Sequence, residues 1–214
     1  MSMPEATIID YGVGNLLSVQ RGLEHCGAKV IVTADSAKIL NSSHVVLPGV
    51  GAFGNAMEAL KRLGLVSVIY ELVQRKIPLL GICLGMQLLF EESDEFGVTP
   101  GLGLIPGRVI AIPDQTALGV SQKIPHIGWR SFQQSNPLIG WENTLLQDNC
   151  PGETAYFVHS FMAMPSDSKN RIADCSYGDH KIAAVICRDQ ISGCQFHPEK
   201  SGETGLKILR RFLL

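Results

Sequence analysis

The first half of the chain alternates short apolar segments with longer amphipathic ones, and this alternation limits the possible folds more than any other feature. The apolar segments have the length of buried strands and lie at residues 6–9, 29–33, 44–47 and 78–82. Stretches with apolar side chains at helical spacing lie between them, at residues 15–26 and within 55–76. Alternation of this kind predicts a mostly parallel sheet with helices on both faces, and functional groups at the carboxyl ends of its strands.

The second half of the chain has a different pattern. Shorter segments of β type, separated by Gly, Pro, Asn and Asp turns, lie at residues 104–112, 155–164, 171–176, 181–187 and 191–196. Residues 202–214 close the chain as an amphipathic helix. We therefore expect an α/β fold with a mixed sheet flanked by helices, mostly parallel in the N-terminal half and with antiparallel additions in the C-terminal half.

Length and composition narrow the classes of function. The chain has 214 residues, of which 45% are hydrophobic and 18% are charged, and this suits one globular domain spanning residues 1–214. A net charge of −2 and the lack of a dense basic run argue against nucleic acid as a partner. No apolar stretch reaches 18 residues, so we expect no membrane span. The six cysteines are widely spaced and form no Cys-x-x-Cys pair, and residues 1–10 show no signal-peptide pattern. We therefore expect reduced thiols and a location in the cytoplasm.

One cysteine lies between two glycines in the sequence Gly-Ile-Cys-Leu-Gly-Met-Gln at residues 81–87. The apolar strand ends here, and Leu84, Leu88 and Leu89 predict a helix over residues 84–92. The Gly-x-Ser-x-Gly elbow of hydrolases presents its nucleophile in this way, at a helix N-terminus that also favours a thiolate. We therefore expect Cys83 to be a nucleophile and the Leu84 N–H to stabilise an oxyanion.

A cysteine nucleophile needs a base and a group that orients the base. His25 and His44 lie in a predicted helix and at the start of a predicted strand, where packing or surface roles are common. His197 differs, because it follows a predicted strand and has Glu199 two residues later, in the segment Gln-Phe-His-Pro-Glu. Together with Cys83, this pair fits a Cys-His-Glu triad, and the alternative is a histidine in a surface turn.

A glycine-rich loop, Pro-Gly-Val-Gly-Ala-Phe-Gly at residues 48–54, follows another predicted strand. It lacks the Lys-Ser/Thr ending of a phosphate-binding P-loop. An oxyanion hole is the second interpretation, with the N–H of Val50 or Gly51 beside that of Leu84, and a plain tight turn is the third. The Cys, His and Glu spacings match no zinc template, so we expect no metal ion and no cofactor.

These three segments, PGVG, GICLGMQ and QFHPE, resemble the signature of the class I glutamine amidotransferases and occur in the expected order. Within that class the chain is most similar to the HisH-type glutaminase subunit of imidazole glycerol phosphate synthase. Further matching stretches are DYGVGN from residue 10, LLFEES from 88, PHIGW from 125, YFVHS from 156, and Lys200-Ser201. The resemblance covers essentially the whole chain.

The resemblance implies that Cys83 attacks the side-chain amide of glutamine, that His197 passes a proton to the departing ammonia, and that Glu199 orients His197. Water would then hydrolyse the γ-glutamyl thioester. The family positions that hold the glutamine correspond to Gln87, Glu95 and the backbone around Ser160.

The resemblance also implies a partner. Ammonia would pass to a separate (β/α)8 cyclase subunit of the HisF type in a heterodimer, which forms imidazole glycerol phosphate and AICAR in histidine biosynthesis. Positions at or near the partner's face in the family correspond to Asn15, Trp129, Tyr156 and Lys200.

Two departures from the family pattern keep an alternative open. The family usually has Asn where this chain has Arg130, and often Tyr where it has Phe161. A guanidinium in place of an amide changes donor number and charge. The chain would then be a paralogue that supplies ammonia to a nucleotide-sugar amidating synthase in surface-polysaccharide biosynthesis. A non-catalytic subunit and an unrelated cysteine hydrolase are further hypotheses.

Overall fold

The computed structural model describes residues 3–136 and 140–214. Its strands in chain order are β1 (Glu5–Ile9), β2 (Lys29–Thr33), β3 (His44–Gly49), β4 (Leu79–Cys83), β5 (Phe90–Ser93), β6 (Thr99–Pro100), β7 (Ile105–Ala111), β8 (His126–Gln134), β9 (Thr154–His159), β10 (Phe161–Pro165), β11 (Arg171–Tyr177), β12 (His180–Arg188) and β13 (Ile191–Cys194). Its α-helices are α1 (Leu16–His25), α2 (Ser36–Leu40), α3 (Phe53–Arg62), α4 (Leu65–Gln74), α5 (Leu84–Leu88) and α6 (Gly202–Phe212). No helix within these described ranges is long and apolar enough to cross a membrane.

A nine-stranded sheet forms the centre of the molecule, with the strand order β2-β1-β3-β4-β13-β12-β11-β8-β9. The strands from β2 to β13 in this order are parallel, and the pairs from β13 to β9 are antiparallel. The predicted mixed α/β sheet is therefore confirmed. The last strand of the chain to join the sheet, β13, lies beside β4 and connects the two halves.

The helices cover both faces of this sheet because alternate residues of its strands point to opposite sides. On β3, Val46 shares one apolar cluster with residues of α1 and α6, whereas Val45 and Leu47 share the other with residues of α3 and α4. Strand β4 is buried along its whole length, as a central parallel strand requires.

The predicted helix over residues 84–92 is only partly correct. The helix α5 ends at Leu88, and Phe90–Ser93 forms strand β5 of a second sheet with the order β10-β7-β5-β6. Phe90 is fully buried and lies opposite Ile105 of β7, so pairing within the second sheet overrides the helical spacing of the leucines.

Two other features of the second half differ from the prediction. The β segment at residues 155–164 divides at Ser160, because β9 joins the large sheet and β10 joins the small one. Strand β8 was not predicted, although it pairs with both β9 and β11. The bend at Ser160 is what brings both sheets to one edge of the site.

The turn between β4 and α5 is crowded at its two glycines, Gly81 and Gly85. Cys83 has a φ of 53°, in a region that side chains rarely adopt. A Cβ at Gly81 would lie 2.7 Å from the Gly85 carbonyl oxygen, and a Cβ at Gly85 would lie 1.8 Å from the Leu47 carbonyl oxygen. Only glycine fits at both positions, so the close contact of α5 with β3 fixes the direction of Cys83.

Replacement of Gly85 by alanine should therefore destabilise the protein by about 3 kcal/mol or more, because a backbone carbonyl has to move. Gly54→Ala is the matched control, since a Cβ at that helical position meets only the Thr99 hydroxyl at 3.7 Å. The control should unfold at an equal or slightly higher temperature than the parent. Thermal unfolding followed by circular dichroism measures both, and equal melting temperatures for the two variants would contradict this account of the turn.

Candidate active site

A cavity of about 330 Å³ opens at the carboxyl ends of the central parallel strands. Most of the predicted site residues line it: Val50, Gly51, Cys83, Leu84, Gln87, Glu95, Ser160 and His197. The lining also includes residues that we had not predicted, namely Pro125, Val158, His159 and Phe161. The structure thus collects residues from strand ends far apart in sequence around one concave surface.

The Cys83 side chain lies at the N-terminus of α5, where the free backbone N–H groups of a helix begin. Its sulfur interacts with the His197 side chain and has two further polar neighbours, the Gln195 Nε2 at 3.8 Å and the Val158 carbonyl oxygen at 3.9 Å. The carbonyl can accept a hydrogen bond only from the thiol, whereas the amide N–H can donate to the sulfur in either protonation state.

His197 lies just beyond β13, and its ring is held by Glu199 as predicted from the spacing. The Nδ1 atom is 2.8 Å from the Glu199 Oε1, and both side chains are almost completely buried. Burial alone would lower the pKa of His197, but interactions with the Cys83 side chain and the Glu199 carboxylate raise it to about 9. The site therefore favours a protonated imidazole when the cysteine is a thiolate.

The backbone of His197 is fixed by hydrogen bonds to Tyr156 on β9 and to Ser201, just before α6. Its N–H donates to the Tyr156 carbonyl at 3.1 Å, and its carbonyl accepts from the Ser201 hydroxyl at 2.7 Å. The same Ser201 oxygen accepts from the Tyr156 N–H at 3.0 Å. These bonds join the turn that carries His197 and Glu199 to the outer edge of β9.

The glycine-rich loop after β3 lies beside Cys83, because Gly49 pairs with Cys83 in the register of β3 and β4. Gly51 has a φ of 94°, which requires glycine, and Val50 is 42% exposed at the cavity. The Tyr11 hydroxyl donates to the Pro48 carbonyl at 2.6 Å and so anchors the loop from below. Burial and the nearby Cys83 raise the pKa of Tyr11 above its ordinary range, so the hydroxyl stays a donor.

Glu95 and Gln87 lie at the same cavity but already have protein partners. The Glu95 Oε2 accepts the Phe53 N–H, at the start of α3, over 2.5 Å. The Gln87 Nε2 donates to the Phe161 carbonyl and to the Gln195 Oε1, each at 3.0 Å. Both side chains are thus pre-positioned by the residues around them.

The predicted partner-face residues also lie near this end of the sheet. Trp129 and Tyr156 are directly opposite on β8 and β9, with ring centroids 6.1 Å apart, and Trp129 is 51% exposed. Lys200 is exposed on the turn after Glu199. Asn15 is half-buried at the start of α1, next to Gly14, whose Cβ position would be 3.4 Å from Pro48.

Arg130 occupies the opposite face of β8 from Trp129. Its guanidinium lies 5.8 Å from the centre of the Tyr177 ring and donates to the Trp129 carbonyl at 2.9 Å. Successive residues of a strand point to opposite faces, so the departure from the family pattern lies away from the Trp129 and Tyr156 rings.

A buried histidine pair borders the site and was not predicted. The His126 Nδ1 and the His159 Nε2 are 2.9 Å apart, and the His159 Nδ1 lies 2.8 Å from the Phe161 carbonyl oxygen. Burial lowers the pKa of His159 to about 4 and that of His126 to about 3, so both rings are neutral at pH 7. The only sequence signal was their presence in two of the matching stretches.

Known proteins resemble this chain over nearly its whole length. The family model for "Glutamine amidotransferase class-I" matches residues 7–214. The chain is 46% identical over 211 residues, covering 99% of both chains, to "Imidazole glycerol phosphate synthase subunit HisH 1" of Legionella pneumophila (strain Lens). It is 45% identical over 208 residues to "Imidazole glycerol phosphate synthase subunit HisH" of Geobacillus thermodenitrificans (strain NG80-2), covering 96% of this chain and 93% of the relative.

Among solved structures, PurLQS from Thermotoga maritima superposes with a TM-score of 0.72 over 99% of this chain and 98% of that one, at 18% identity. A second structure, described as a glutamine amidotransferase, also gives 0.72, at 15% identity and with 97% and 96% coverage. At this level of identity the likeness shows the fold alone.

Glu199→Gln should lower the pKa of His197 from about 9 by about 1–3 units, because the amide can still accept from Nδ1 but carries no charge. Nuclear magnetic resonance titration of the imidazole measures the midpoint. Glu153→Gln is the control, since that carboxylate binds Lys207 at 2.6 Å and is not among the groups that act on His197. A midpoint that is the same in Glu199→Gln as in the parent would refute the role of the carboxylate.

Proposed function

The chain belongs to the class I glutamine amidotransferase family, and from this membership we propose that it is the HisH-type glutaminase subunit of imidazole glycerol phosphate synthase, acting in histidine biosynthesis. The observation on which the proposal rests is the near-full-length similarity to the HisH subunits of Legionella pneumophila and Geobacillus thermodenitrificans. The geometry of the cavity supports the glutaminase chemistry.

In the first step, the Cys83 thiolate attacks the side-chain carbonyl carbon of glutamine. The oxyanion that forms accepts hydrogen bonds from the Leu84 N–H at the start of α5 and from the N–H of Val50 or Gly51 in the facing loop. His197, protonated and held by Glu199, gives its proton to the amide nitrogen, which leaves as ammonia. A γ-glutamyl thioester on Cys83 is the product of this step.

In the second step, a water molecule attacks the thioester while His197, now neutral, takes the proton from that water. The bond between the carbonyl carbon and the Cys83 sulfur breaks, and glutamate and the thiolate are released. We assign the binding of glutamine to Gln87, Glu95 and the backbone around Ser160, because all three line the cavity that contains Cys83. The exchange needs no metal ion or cofactor.

We further propose that ammonia passes to a (β/α)8 cyclase subunit of the HisF type in a heterodimer. The feature that supports a partner at this face is the exposed Trp129, which lies opposite Tyr156, the residue whose carbonyl accepts the His197 N–H. Aromatic side chains are enriched at the centres of interfaces. Trp129, Tyr156, Lys200 and Asn15 would form the contact. All six cysteines are unpaired, which suits the reducing cytoplasm.

The paralogue hypothesis, ammonia supply to a nucleotide-sugar amidating synthase, rested on Arg130 and Phe161. Arg130 packs on Tyr177 on the face opposite Trp129, and the backbone carbonyl of Phe161 accepts its hydrogen bonds whatever its side chain is. Neither substitution gives a specific reason to prefer that partner, so it remains an alternative outcome of the experiment below.

Incubation of the chain with a histidine-pathway cyclase, its ribonucleotide substrate and glutamine should produce glutamate and imidazole glycerol phosphate. Cys83→Ala should abolish both products, because the nucleophile is gone, whereas an added ammonium salt should restore the imidazole product. Coupled assays of glutamate and product measure the outcome. Glutamate released only with a sugar-nucleotide amidating synthase would favour the paralogue, and full activity of Cys83→Ala would exclude the proposed chemistry.

Trp129→Ala should raise the dissociation constant for the cyclase by tenfold or more, which corresponds to about 1.4 kcal/mol or more at an interface anchor. Arg130→Asn, one residue away on the opposite face, is the control and should change it less than about threefold. Isothermal titration calorimetry measures both constants. A larger effect of Arg130→Asn than of Trp129→Ala would show that the partner binds elsewhere.

A further inference from the structure

The buried side chain of Gln195 contacts the sulfur of the proposed nucleophile, and neither the family resemblance nor the triad gives it a role. Gln195 is fully buried at the end of β13, two residues before His197. Its Nε2 lies 3.8 Å from the Cys83 Sγ. A buried amide needs hydrogen-bond partners for both its oxygen and its nitrogen. The orientation of the amide therefore decides whether a donor or an acceptor faces the sulfur.

The hydrogen-bond directions follow from a carbonyl group that can only accept. The Phe161 carbonyl oxygen lies 3.0 Å from one end of the Gln87 amide, so that end must be the nitrogen. The same nitrogen is 3.0 Å from the Gln195 amide, which must therefore present its oxygen to Gln87. The Gln195 nitrogen then has to face the sulfur. Each hydrogen-bond direction in this series, from the Phe161 carbonyl to the Cys83 sulfur, is therefore determined by the one before it.

A second donor binds the Phe161 carbonyl, where this series of hydrogen bonds begins. The His159 Nδ1 is 2.8 Å from the same Phe161 carbonyl oxygen, and burial keeps this ring neutral, with a pKa of about 4. Its Nε2 is then an acceptor for the His126 Nδ1–H, 2.9 Å away. The carbonyl that sets all the directions is thus held by two buried donors.

We propose that Gln195 stabilises the thiolate of Cys83 by donating a hydrogen bond to its sulfur, in an orientation that the Phe161 carbonyl imposes through Gln87. This inference rests on Cys83 as the nucleophile of the proposed function. An N–H aimed at the sulfur favours the charged form, and a buried bond of this kind is stronger than one in water. The Val158 carbonyl, on the other side of the sulfur, serves only the thiol.

The rate at which iodoacetamide alkylates Cys83, without glutamine or a partner, tests the proposal, because the thiolate is the reacting form. Gln195→Met keeps the length of the side chain but removes the donor, and it should slow alkylation at pH 7 about tenfold. Gln195→Glu keeps the acceptor for Gln87 but turns a carboxyl group toward the sulfur, and it should slow the reaction at least as much. Gln87→Met, which removes the orienting donor, should slow it by a smaller factor.

Two controls separate this effect from a general disturbance. Gln190→Met removes another side-chain amide, one that donates to the Val73 carbonyl at 2.7 Å, and should leave the Cys83 rate unchanged. The exposed Cys150, followed in the same samples by peptide mass spectrometry, should react equally fast in every variant. Circular dichroism confirms folding.

Unchanged alkylation of Cys83 in folded Gln195→Met and Gln195→Glu would overturn the proposal. So would a Gln87→Met variant with the parental rate, because the orientation would then not depend on Gln87. The assay contains no glutamine, so its failure leaves the glutaminase proposal standing. Conversely, suppose that Cys83 of the parent protein is alkylated as predicted, but that no glutamate is released when the protein is incubated with glutamine, the cyclase and its substrate. That result would refute the proposed function alone.

Discussion

The proposed catalytic end of this protein depends on one backbone contact, the approach of Gly85 to the Leu47 carbonyl oxygen. The contact allows α5 to start against β3, and it holds Cys83 at a φ of 53°, with its side chain directed into the cavity. The parallel register then places Gly49 opposite Cys83, so the loop with Val50 and Gly51 lies beside the nucleophile. Strand β13, on the other side of β4, delivers His197 to the same edge.

Around this rigid turn, hydrogen bonds fix the orientation of each polar side chain. Glu199 accepts from His197, which fixes one ring nitrogen and leaves the other for the substrate side of the ring. Tyr11 donates to Pro48 and fixes the loop opposite Cys83. The buried amides of Gln87 and Gln195 carry the direction set by the Phe161 carbonyl to the sulfur. Such groups need no rearrangement when charge develops during the reaction.

The sequence allowed the parallel half of the sheet and the pair His197 and Glu199 to be predicted, because both depend on local patterns. Strand spacing, glycine turns and a carboxylate two residues from a histidine are all visible within a short segment. The helix after Cys83 was predicted too long, since pairing of Phe90 with β7 depends on residues 15 or more positions away. The contacts of Gln195 with Cys83 and of His126 with His159 span 112 and 33 residues, and local pattern contains no record of such pairs.

We assign the γ-glutamyl thioester to Cys83, and labelling with a reactive analogue of the substrate is the sharpest test of that assignment. A diazoketone analogue of glutamine should alkylate the parent protein in the presence of its cyclase, and peptide mass spectrometry should find the label on Cys83. Glutamine added in excess should prevent the labelling. Label on any of the other five cysteines, or labelling of Cys83 that glutamine does not reduce, would contradict the account.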